Sequence, residues 1–328
     1  MEPQKEPNPN YLPYPPQQQS KDDEIDLREL FAALWKGKWI IIVTTFFFAV
    51  SAVLYALSLP NIYKSDALLA PAESSNGGGL SKMAGQLGGL AALAGVNLGA
   101  GESSQADLAV QVMKSRQFVE AFINKHDLLV PLMAAKRWDL VSNKLILDEE
   151  LYNPTTGKWL REPNGLRGIT PSAQEAFDVF SNKMLKVSKD KESGLYTVSI
   201  SFYSPDIAKQ WVDWLIEDIN KEMRKRAIAE SSKNLLYLNH QLQKTAVADM
   251  QSTFYKLIEE QTKSLMLAEV QDEFVFKVID PAISPEVKDG PNRFIIVLGA
   301  TFVGLALSIM FVILKTMLIS MREFKSED

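Results

Sequence analysis

The stretch VIDPAISPEVKDGPNRFIIVLGATF, residues 278–302, decides the fold because it joins a proline-rich segment to an apolar one. Pro281, Pro285 and Pro291 fall within eleven residues, and the chain then becomes almost wholly apolar. Proline fixes its own φ and biases the preceding residue to extended geometry. We therefore expect residues 281–293 to form a semi-rigid strut that transmits the orientation of a strand to a membrane span. A linker that merely ends the strand is the alternative.

Two long apolar runs predict membrane spans. Residues 39–59 and residues 294–314 each comprise 21 residues without a charge. As helices, each would be about 30 Å long, which is the thickness of the hydrocarbon core of a bilayer. A cleaved signal peptide is the alternative for the first run, but a polar lead of 38 residues precedes it. We expect both runs to persist as transmembrane helices.

Positive charges beside the two runs predict their orientation. Short segments rich in Lys and Arg mark the cytoplasmic side of a membrane. Here such charges precede the first run and follow the second, at Lys36, Lys38, Lys315, Arg322 and Lys325. Both termini are therefore predicted to be cytoplasmic, with residues 60–293 forming one large domain on the other side.

The composition excludes several classes of protein. Residues 60–293 carry 27 basic and 30 acidic side chains, so they have no general attraction for nucleic acid. The chain has no cysteine, which excludes a disulfide framework and thiol chemistry. The two histidines, His126 and His240, are far apart in sequence, and we expect ordinary surface or partly buried side chains. Asp148 and Glu150 lack the separate placement that a glycosidase requires, so we expect no catalytic site.

The segments that flank the two spans differ in character. Residues 1–24 hold six prolines and few aliphatic side chains, which predicts a disordered cytoplasmic tail. Recruitment of a partner through its YLPYPP run is an alternative. Residues 25–38 place apolar side chains on one helical face and predict an amphipathic lead-in helix against the membrane surface. Residues 315–328 form a short cytoplasmic tail.

Three segments of the large domain have strand character. They are rich in β-branched and aromatic residues and are bounded by turn signals. We expect them to form a base sheet from residues 60–72, 185–203 and 273–282. The second segment is typical of a hairpin around KDKESG, and its strand LYTVSISFY is expected to pair with the third segment.

The remaining parts of the base are predicted from their Gly, Pro and apolar spacing. Residues 73–104 form a Gly/Ala-rich loop, and residues 105–147 predict two helices broken near Pro131. Residues 149–170 are a loop, after which Thr170 is expected to cap a helix.

A long stretch without Gly or Pro predicts a helical arm. Neither residue occurs in the 75 positions from Asp206 to Asp280, and the preceding Ser204-Pro205 supplies a cap and a first helical residue. An unbroken rod would measure about 100 Å. The chain must nevertheless return to enter the second span, so residues 205–272 are predicted to form a long hairpin.

The turn of this arm is predicted near residues 245–252, where Asp249 or Ser252 would cap the second helix. The predicted fold class is therefore α+β, with two transmembrane helices flanking a periplasmic α/β base that carries a long helical hairpin arm.

The chain resembles the Wzz-type polysaccharide co-polymerases, the chain length determinant family. The resemblance rests on the lead-in IDLRELFAALWKGKW (residues 25–39), on the strand after the first span, and on VIDPAISPEVKDGPNR (residues 278–293) before a glycine-bearing second span. Some relatives carry a tyrosine kinase. That branch is excluded because no GxxxxGK[ST] occurs and no tyrosine follows Tyr255.

The resemblance implies a bacterial inner-membrane protein with a periplasmic domain that assembles into ring-shaped homo-oligomers. It implies a non-enzymatic, cofactor-free regulator of the chain length of a lipid-linked surface polysaccharide, such as the O-antigen in lipopolysaccharide biosynthesis. The implied partners are a Wzy-type polymerase, the lipid-linked polysaccharide and the membrane, and not nucleic acid. The residues of the family's proline motif are Pro281, Pro285, Pro291 and Arg293.

Small residues lie four apart on one face of the second predicted span, at Ala300, Gly304 and Ser308. Such spacing lets helices approach closely. This face is the candidate for contact with the first span, a neighbouring subunit or the polymerase.

A basic cluster lies on the predicted arm, at Lys221, Arg224, Lys225 and Arg226. Glutamates four residues before Lys221 and Arg226 favour a solvated, salt-bridged face. A subunit contact or a glycan contact is the alternative. Nearby, Trp211 and Trp214 have the chemistry to stack on sugar rings, but their apolar neighbours favour packing against the sheet.

Two other functions fit the two-span organisation. One is a periplasmic sensor, which would need a cytoplasmic signalling module. The other is an accessory protein of exopolysaccharide or capsule export.

Overall fold

The computed structural model describes residues 34–72 and 105–324, the last six of them by backbone alone. The predicted tail 1–24, the predicted loop 73–104 and nearly all of the predicted lead-in helix 25–38 lie outside the described residues.

The chain divides into two compact units, one with two long apolar helices and the other comprising residues 59–291. The helical segments Lys38–Ser58 and Arg293–Leu318 are long and apolar enough to cross a membrane. The larger unit mixes helices and strands. The predicted fold class, α+β with a candidate span near each end and a helical hairpin arm, is confirmed.

The elements of secondary structure follow one another in this order: α1 Lys38–Ser58, β1 Tyr63–Pro71, α2 Gln105–Met113, α3 Arg116–Lys125, α4 Leu129–Ala134, β2 Ala135–Asp139, β3 Lys144–Leu147, β4 Tyr152–Asn153, β5 Lys158–Trp159, α5 Ala173–Val179 with the π-helical turn Phe180–Met184, β6 Leu185–Lys189, β7 Tyr196–Phe202, α6 Pro205–Lys244, α7 Ala248–Val270, β8 Phe276–Asp280 and α8 Arg293–Phe324.

The base is built on a four-stranded antiparallel sheet in the order β6-β7-β1-β8. Strand β1 pairs with β7 from Tyr63 opposite Phe202 to Leu69 opposite Tyr196. The predicted pairing of LYTVSISFY with the third strand segment is wrong, because β8 pairs with β1. A strand has two edges, and both edges of β7 are already occupied by β6 and β1.

The first helical segment of the base is shorter and more divided than predicted. Ser115 caps α3 by accepting a hydrogen bond from the Phe118 N–H, so the chain restarts a helix there. Asp127 has φ of 52° after α3 and allows the chain to change direction. Pro131 does not break a helix, because it lies in the first turn of α4, where its missing N–H costs little.

The second helix predicted before residue 147 is wrong, since the β2–β3 hairpin occupies this place. Its turn contains Asn143 with φ of 48°, a conformation that asparagine tolerates better than most residues. The cap predicted at Thr170 is also wrong. Ser172 caps α5 instead, because its side chain accepts from the Glu175 N–H.

Arg161 forms hydrogen bonds across the loop that precedes α5. Its guanidinium donates to Glu175 Oε2 at 2.6 Å and to the carbonyl oxygens of Gly168, Ile169 and Thr170. The side chain of Glu175 is only 11% exposed. The hydrogen bond from Arg161 holds the pKa of Glu175 below its usual value of 4.5.

We expect this ion pair to make the unfolding temperature depend on pH. A carboxyl whose pKa is lowered in the folded state stabilises the fold above its unfolded pKa, and this contribution disappears as the pH falls through the folded pKa. When the pH falls from neutral to below 4.5, the unfolding temperature of Arg161→Ala should therefore decrease less than that of the parent chain. Thermal unfolding across a pH series measures this. Arg167→Ala is the control, because Arg167 is largely exposed and 3.7 Å from Glu175. Equal pH dependence in the parent chain and Arg161→Ala would contradict the assignment.

The arm is the antiparallel pair α6 and α7. Helix α6 begins as predicted, because Ser204 caps it and Pro205 is its first residue. The predicted break is confirmed, since α6 ends at Lys244 and α7 begins at Ala248. The predicted caps at Asp249 and Ser252 are wrong: Val247 precedes α7 and gives no side-chain cap. Instead, Gln251 Nε2 donates to the Thr245 carbonyl at 2.8 Å across the turn.

The main core lies between the sheet and the first turns of α6. Helix α6 packs on β1 and β7 through a stripe of fully buried side chains. They recur at helical spacing and are Ala208, Trp211, Val212, Leu215 and Ile219. Beyond Ser231 the arm leaves the core, and Ala268 is its one buried residue among those the structure describes there.

Candidate functional site

The proline strut is attached to the base along its length. Ser65 Oγ donates to the Ile283 carbonyl at 2.7 Å, and Ser284 Oγ donates to Asp206 Oδ1 at 2.8 Å. Near its end, the Gly290 carbonyl accepts from the Ile62 N–H at 2.9 Å. Residues 281–290 therefore run beside β1 as a hydrogen-bonded extension of the sheet edge. Their predicted role in transmitting orientation stays a prediction.

The prolines of the motif occupy different environments. Pro281 is exposed, Pro285 and Pro291 are half-buried, and the Gly290-Pro291 peptide is cis. Arg293, the fourth motif residue, belongs to the unit of apolar helices. Its Nε donates to the Ala56 carbonyl near the end of α1 at 3.0 Å, where helix carbonyls lack intrahelical partners.

A cavity of about 510 Å³ lies in the base beside the end of the strut. Its walls are mostly apolar, with the polar groups of Lys183, Ser201, Tyr203 and Asp289 among them, and small-molecule sites often have such a composition. Burial raises the pKa of Tyr203. The lining residues include Ile62, Leu132, Met133, Phe202, Gly290 and Pro291. Sequence reasoning missed this cavity because its walls come from segments far apart in the chain.

The basic cluster of the arm is largely neutralised by neighbouring carboxylates. Lys221 pairs with Glu217, whose hydrogen bond raises the pKa of the lysine. Arg226 Nε lies 2.7 Å from Glu222 Oε1. These pairs are those predicted for a solvated, salt-bridged face.

Arg224 and Lys225 have different surroundings from the other two members. Arg224, on α6, donates to two residues that follow α7: to Asp272 Oδ1 at 3.0 Å and to the Gln271 carbonyl at 3.3 Å. Lys225 is exposed and lines a shallow cavity of about 190 Å³ between α3 and α6. Arg224 therefore joins α6 to the residues that follow α7, whereas Lys225 is available for an external contact.

The two tryptophans of α6 pack against other aromatic rings of the base. Trp211 is 2% exposed and packs against Phe202 with ring centroids 4.5 Å apart. The packing interpretation is thus confirmed for Trp211. The half-buried Trp214 ring stacks parallel to the His126 ring at 4.2 Å.

His126 belongs to a cluster that the sequence did not predict. Its Nε2 lies 2.9 Å from Asp218 Oδ2, and Lys125 pairs with the other carboxylate oxygen. Asp218 is 92 residues further along the chain than His126. No motif or spacing marks such a pair, so only the tertiary structure shows it. Among the described residues, no group of three or more His, Asp or Glu is arranged to hold a metal ion.

The predicted small-residue face of α8 lies against α1 at Gly304. A Cβ at this position would lie 2.7 Å from the Phe48 Cβ. Ser308 is also buried, and Ala300 is half-buried. Gly304 thus permits the two helices to approach closely.

We expect Gly304→Leu to separate α1 from α8 and to cost about 1–3 kcal/mol of stability, because overpacking at a close contact forces the backbone apart. Unfolding of the full chain by sodium dodecyl sulfate measures this cost. Gly299→Leu is the matched control, since nothing lies within 4 Å of the Cβ position at Gly299. Equal resistance of the two variants would show that α1 and α8 do not pack at Gly304.

Comparison with protein families finds a match over about a third of the chain. Residues 23–126 match the Wzz chain length determinant protein family. The resemblance predicted from the sequence is confirmed by this match. Among the described residues, the Wzz match spans α1, β1, α2 and α3, and it does not include the proline strut.

Solved structures of polysaccharide co-polymerases are also similar to this chain. One is a full-length bacterial polysaccharide co-polymerase, with 14% identity, a TM-score of 0.38, and coverage of 90% of this chain and 99% of that chain. Another is a fragment of WzzB, the polysaccharide co-polymerase from Salmonella Typhimurium, with 12% identity, a TM-score of 0.27, and coverage of 70% and 99%. Comparison with curated proteins gives no match.

Proposed function

We propose that this protein is a polysaccharide co-polymerase that regulates the chain length of a lipid-linked surface polysaccharide of the O-antigen type. The match of residues 23–126 to the Wzz family carries the proposal. The two apolar helices support anchoring in the bacterial inner membrane. The basic residues beside the spans support cytoplasmic termini and a periplasmic base and arm. The role is regulatory rather than enzymatic, and it is exercised together with a Wzy-type polymerase.

The arm supports a homo-oligomeric scaffold, which we propose is a ring. Two helices alone cannot enclose the apolar side chains that α6 and α7 carry. In the helices and the turn between them, those that remain more than half exposed are Leu236, Tyr237, Val247, Met250, Tyr255, Met266 and Val270. A second copy of the chain would cover them. Mass measurement of the detergent-extracted protein tests this, and a monomeric mass at all concentrations would refute the ring.

Deletion of the gene in its host tests the proposed function directly. Gel electrophoresis of the surface polysaccharide should then show loss of the modal band, with restoration by the parent gene. Unchanged length with lost secretion would instead support an accessory of polysaccharide export. Unchanged length and secretion would contradict both functions.

Charge reversal at Lys225 tests the proposed external contact of the basic cluster with a subunit or glycan. We expect Lys225→Glu to alter oligomer mass or glycan length, because this exposed lysine has no ion pair among the described residues. Lys233→Glu, also exposed on α6, is the control. If Lys225→Glu leaves both assembly and product length unaltered, the cluster is only a solvated face.

A further inference from the structure

The turn between β2 and β3 presents two apolar side chains outward. Leu140 is 74% exposed and Val141 is 94% exposed. Side-chain hydrogen bonds cross the turn, because Asp139 Oδ2 accepts from the Ser142 N–H at 3.1 Å and from Ser142 Oγ at 2.5 Å. Asn143 Oδ1 accepts from Trp138 Nε1 at 2.9 Å. The polar groups of this turn thus bond to one another and leave the two apolar side chains exposed, whereas polar residues usually dominate exposed turns.

Contacts within the base place this turn at one end of the sheet. The Trp138 ring meets the Tyr63 ring edge-on, with centroids 5.6 Å apart, and Asn143 Nδ2 donates to Asp206 Oδ2 at 3.3 Å. Tyr63 begins β1 and pairs with Phe202, so this is the end at which the chain enters the sheet. Tyr63 follows the end of α1 by five residues. The connecting chain can span no more than about 18 Å.

The hairpin turn at the opposite end of the sheet has the opposite character. Residues 190–194 form the turn between β6 and β7, beyond the pair of Leu69 and Tyr196. Their sequence is DKESG, and Lys191 and Glu192 are exposed. An apolar turn at one end and a charged turn at the other indicate that the two ends face different solvents.

We propose that the Leu140–Val141 turn inserts into the headgroup region of the bilayer that holds α1. The proposal rests on the proposed membrane topology and goes beyond it, because it assigns a specific lipid contact to the base. Trp138 and Tyr63 beside the turn are residue types enriched at membrane–water interfaces.

The charges around the turn set its depth in the bilayer. Arg137 and Lys144 are exposed on the two strands of the hairpin and carry the charge that anionic headgroups attract. The Asp139 carboxylate remains ionised next to Leu140, because its hydrogen bonds from Ser142 lower its pKa. A charged group adjoining the tip excludes deep insertion. Leu140 and Val141 therefore reach the boundary between headgroups and acyl chains, as interfacial segments do.

Single-cysteine spin labelling of the full chain tests the proposal cleanly, since the chain contains no cysteine. The label is placed at Val141→Cys in bilayers of phosphatidylethanolamine and phosphatidylglycerol. We expect severalfold lower accessibility to a water-soluble nickel relaxant, and higher accessibility to oxygen, than for Lys191→Cys in the charged turn. When amphipol replaces the lipid in detergent-free buffer, the difference in relaxant accessibility between positions 141 and 191 should become smaller.

A third label separates failure of this inference from failure of the proposed topology. Phe302→Cys lies on the exposed face of α8 and should show the oxygen-rich profile of the hydrocarbon core. If position 302 is inserted and position 141 is as accessible to nickel as position 191, the turn does not contact the bilayer. If position 141 is immobilised and shielded from both relaxants, it contacts protein instead, which also overturns the proposal. If position 302 is exposed to water, the proposed topology fails.

Discussion

Trp211→Ala is expected to lower the free energy of unfolding of the base by about 3–5 kcal/mol, the usual cost of removing a buried aromatic side chain. For a unit of this size, the unfolding temperature should fall by about 6–20 °C. The reason is the position of Trp211 between α6 and the sheet, where its ring packs against Phe180 and Phe202. Thermal unfolding followed by circular dichroism measures the loss.

Trp159→Ala is the matched control for this prediction. Trp159 is half-buried in the small β4–β5 hairpin, where its ring contacts only the Tyr152 ring among the described aromatic side chains. We expect its removal to cost about 1 kcal/mol. If Trp211→Ala unfolds at the parent temperature yet loses control of glycan length, Trp211 binds sugar and the packing assignment is wrong.

Asn220→Ala is expected to cost about 2–4 kcal/mol, because it leaves buried backbone groups without partners. Asn220 is 4% exposed on α6. Its Oδ1 accepts from the N–H groups of Val275 and Phe276, both at 2.9 Å, and its Nδ2 donates to the Phe276 carbonyl at 3.0 Å. One side chain therefore anchors the chain that returns from the arm to the base.

Asn239→Ala, on the exposed part of the arm, is the control for this second prediction. Among the described residues, its amide donates only to the Leu235 carbonyl, four residues earlier in the same helix. Surface changes of this kind usually alter stability by less than about 0.5 kcal/mol. Hydrogen exchange at the Val275 and Phe276 amides gives a second measure. If these amides remain as protected in Asn220→Ala as in the parent chain, Asn220 does not anchor β8.

The candidate site was only partly accessible from the sequence. The pairs of Lys221 and Arg226 follow from i,i+4 spacing along one helix, which is local information. The bridge from Arg224 to Asp272 and the His126–Asp218 pair join positions 48 and 92 residues apart. Only the folded chain brings such positions together. The strut was recognised by its prolines, whereas the cavity beside it depends on four other segments.

The errors in the predicted fold also arise because a local sequence pattern does not show which segments come together in the folded chain. The segment AKRWDLVSNKLIL has apolar residues at spacings that fit both a helix and two short strands. Pairing between β2 and β3 around Asn143 selects the strands. Pro131 suggested a break that its place in the first turn of α4 makes unnecessary.

The sequence by itself determined the two apolar helices and the start of α6 at Ser204-Pro205, because length, apolarity and capping act locally. It also required a break in the arm, because the chain has to return to enter the second span. The tertiary structure decided that β1 lies between β7 and β8, that Asn220 holds β8, and that the Leu140–Val141 turn lies near Tyr63. These outcomes depend on which strand edges are free and which polar groups remain unpaired after the chain has folded, and no local pattern encodes either condition.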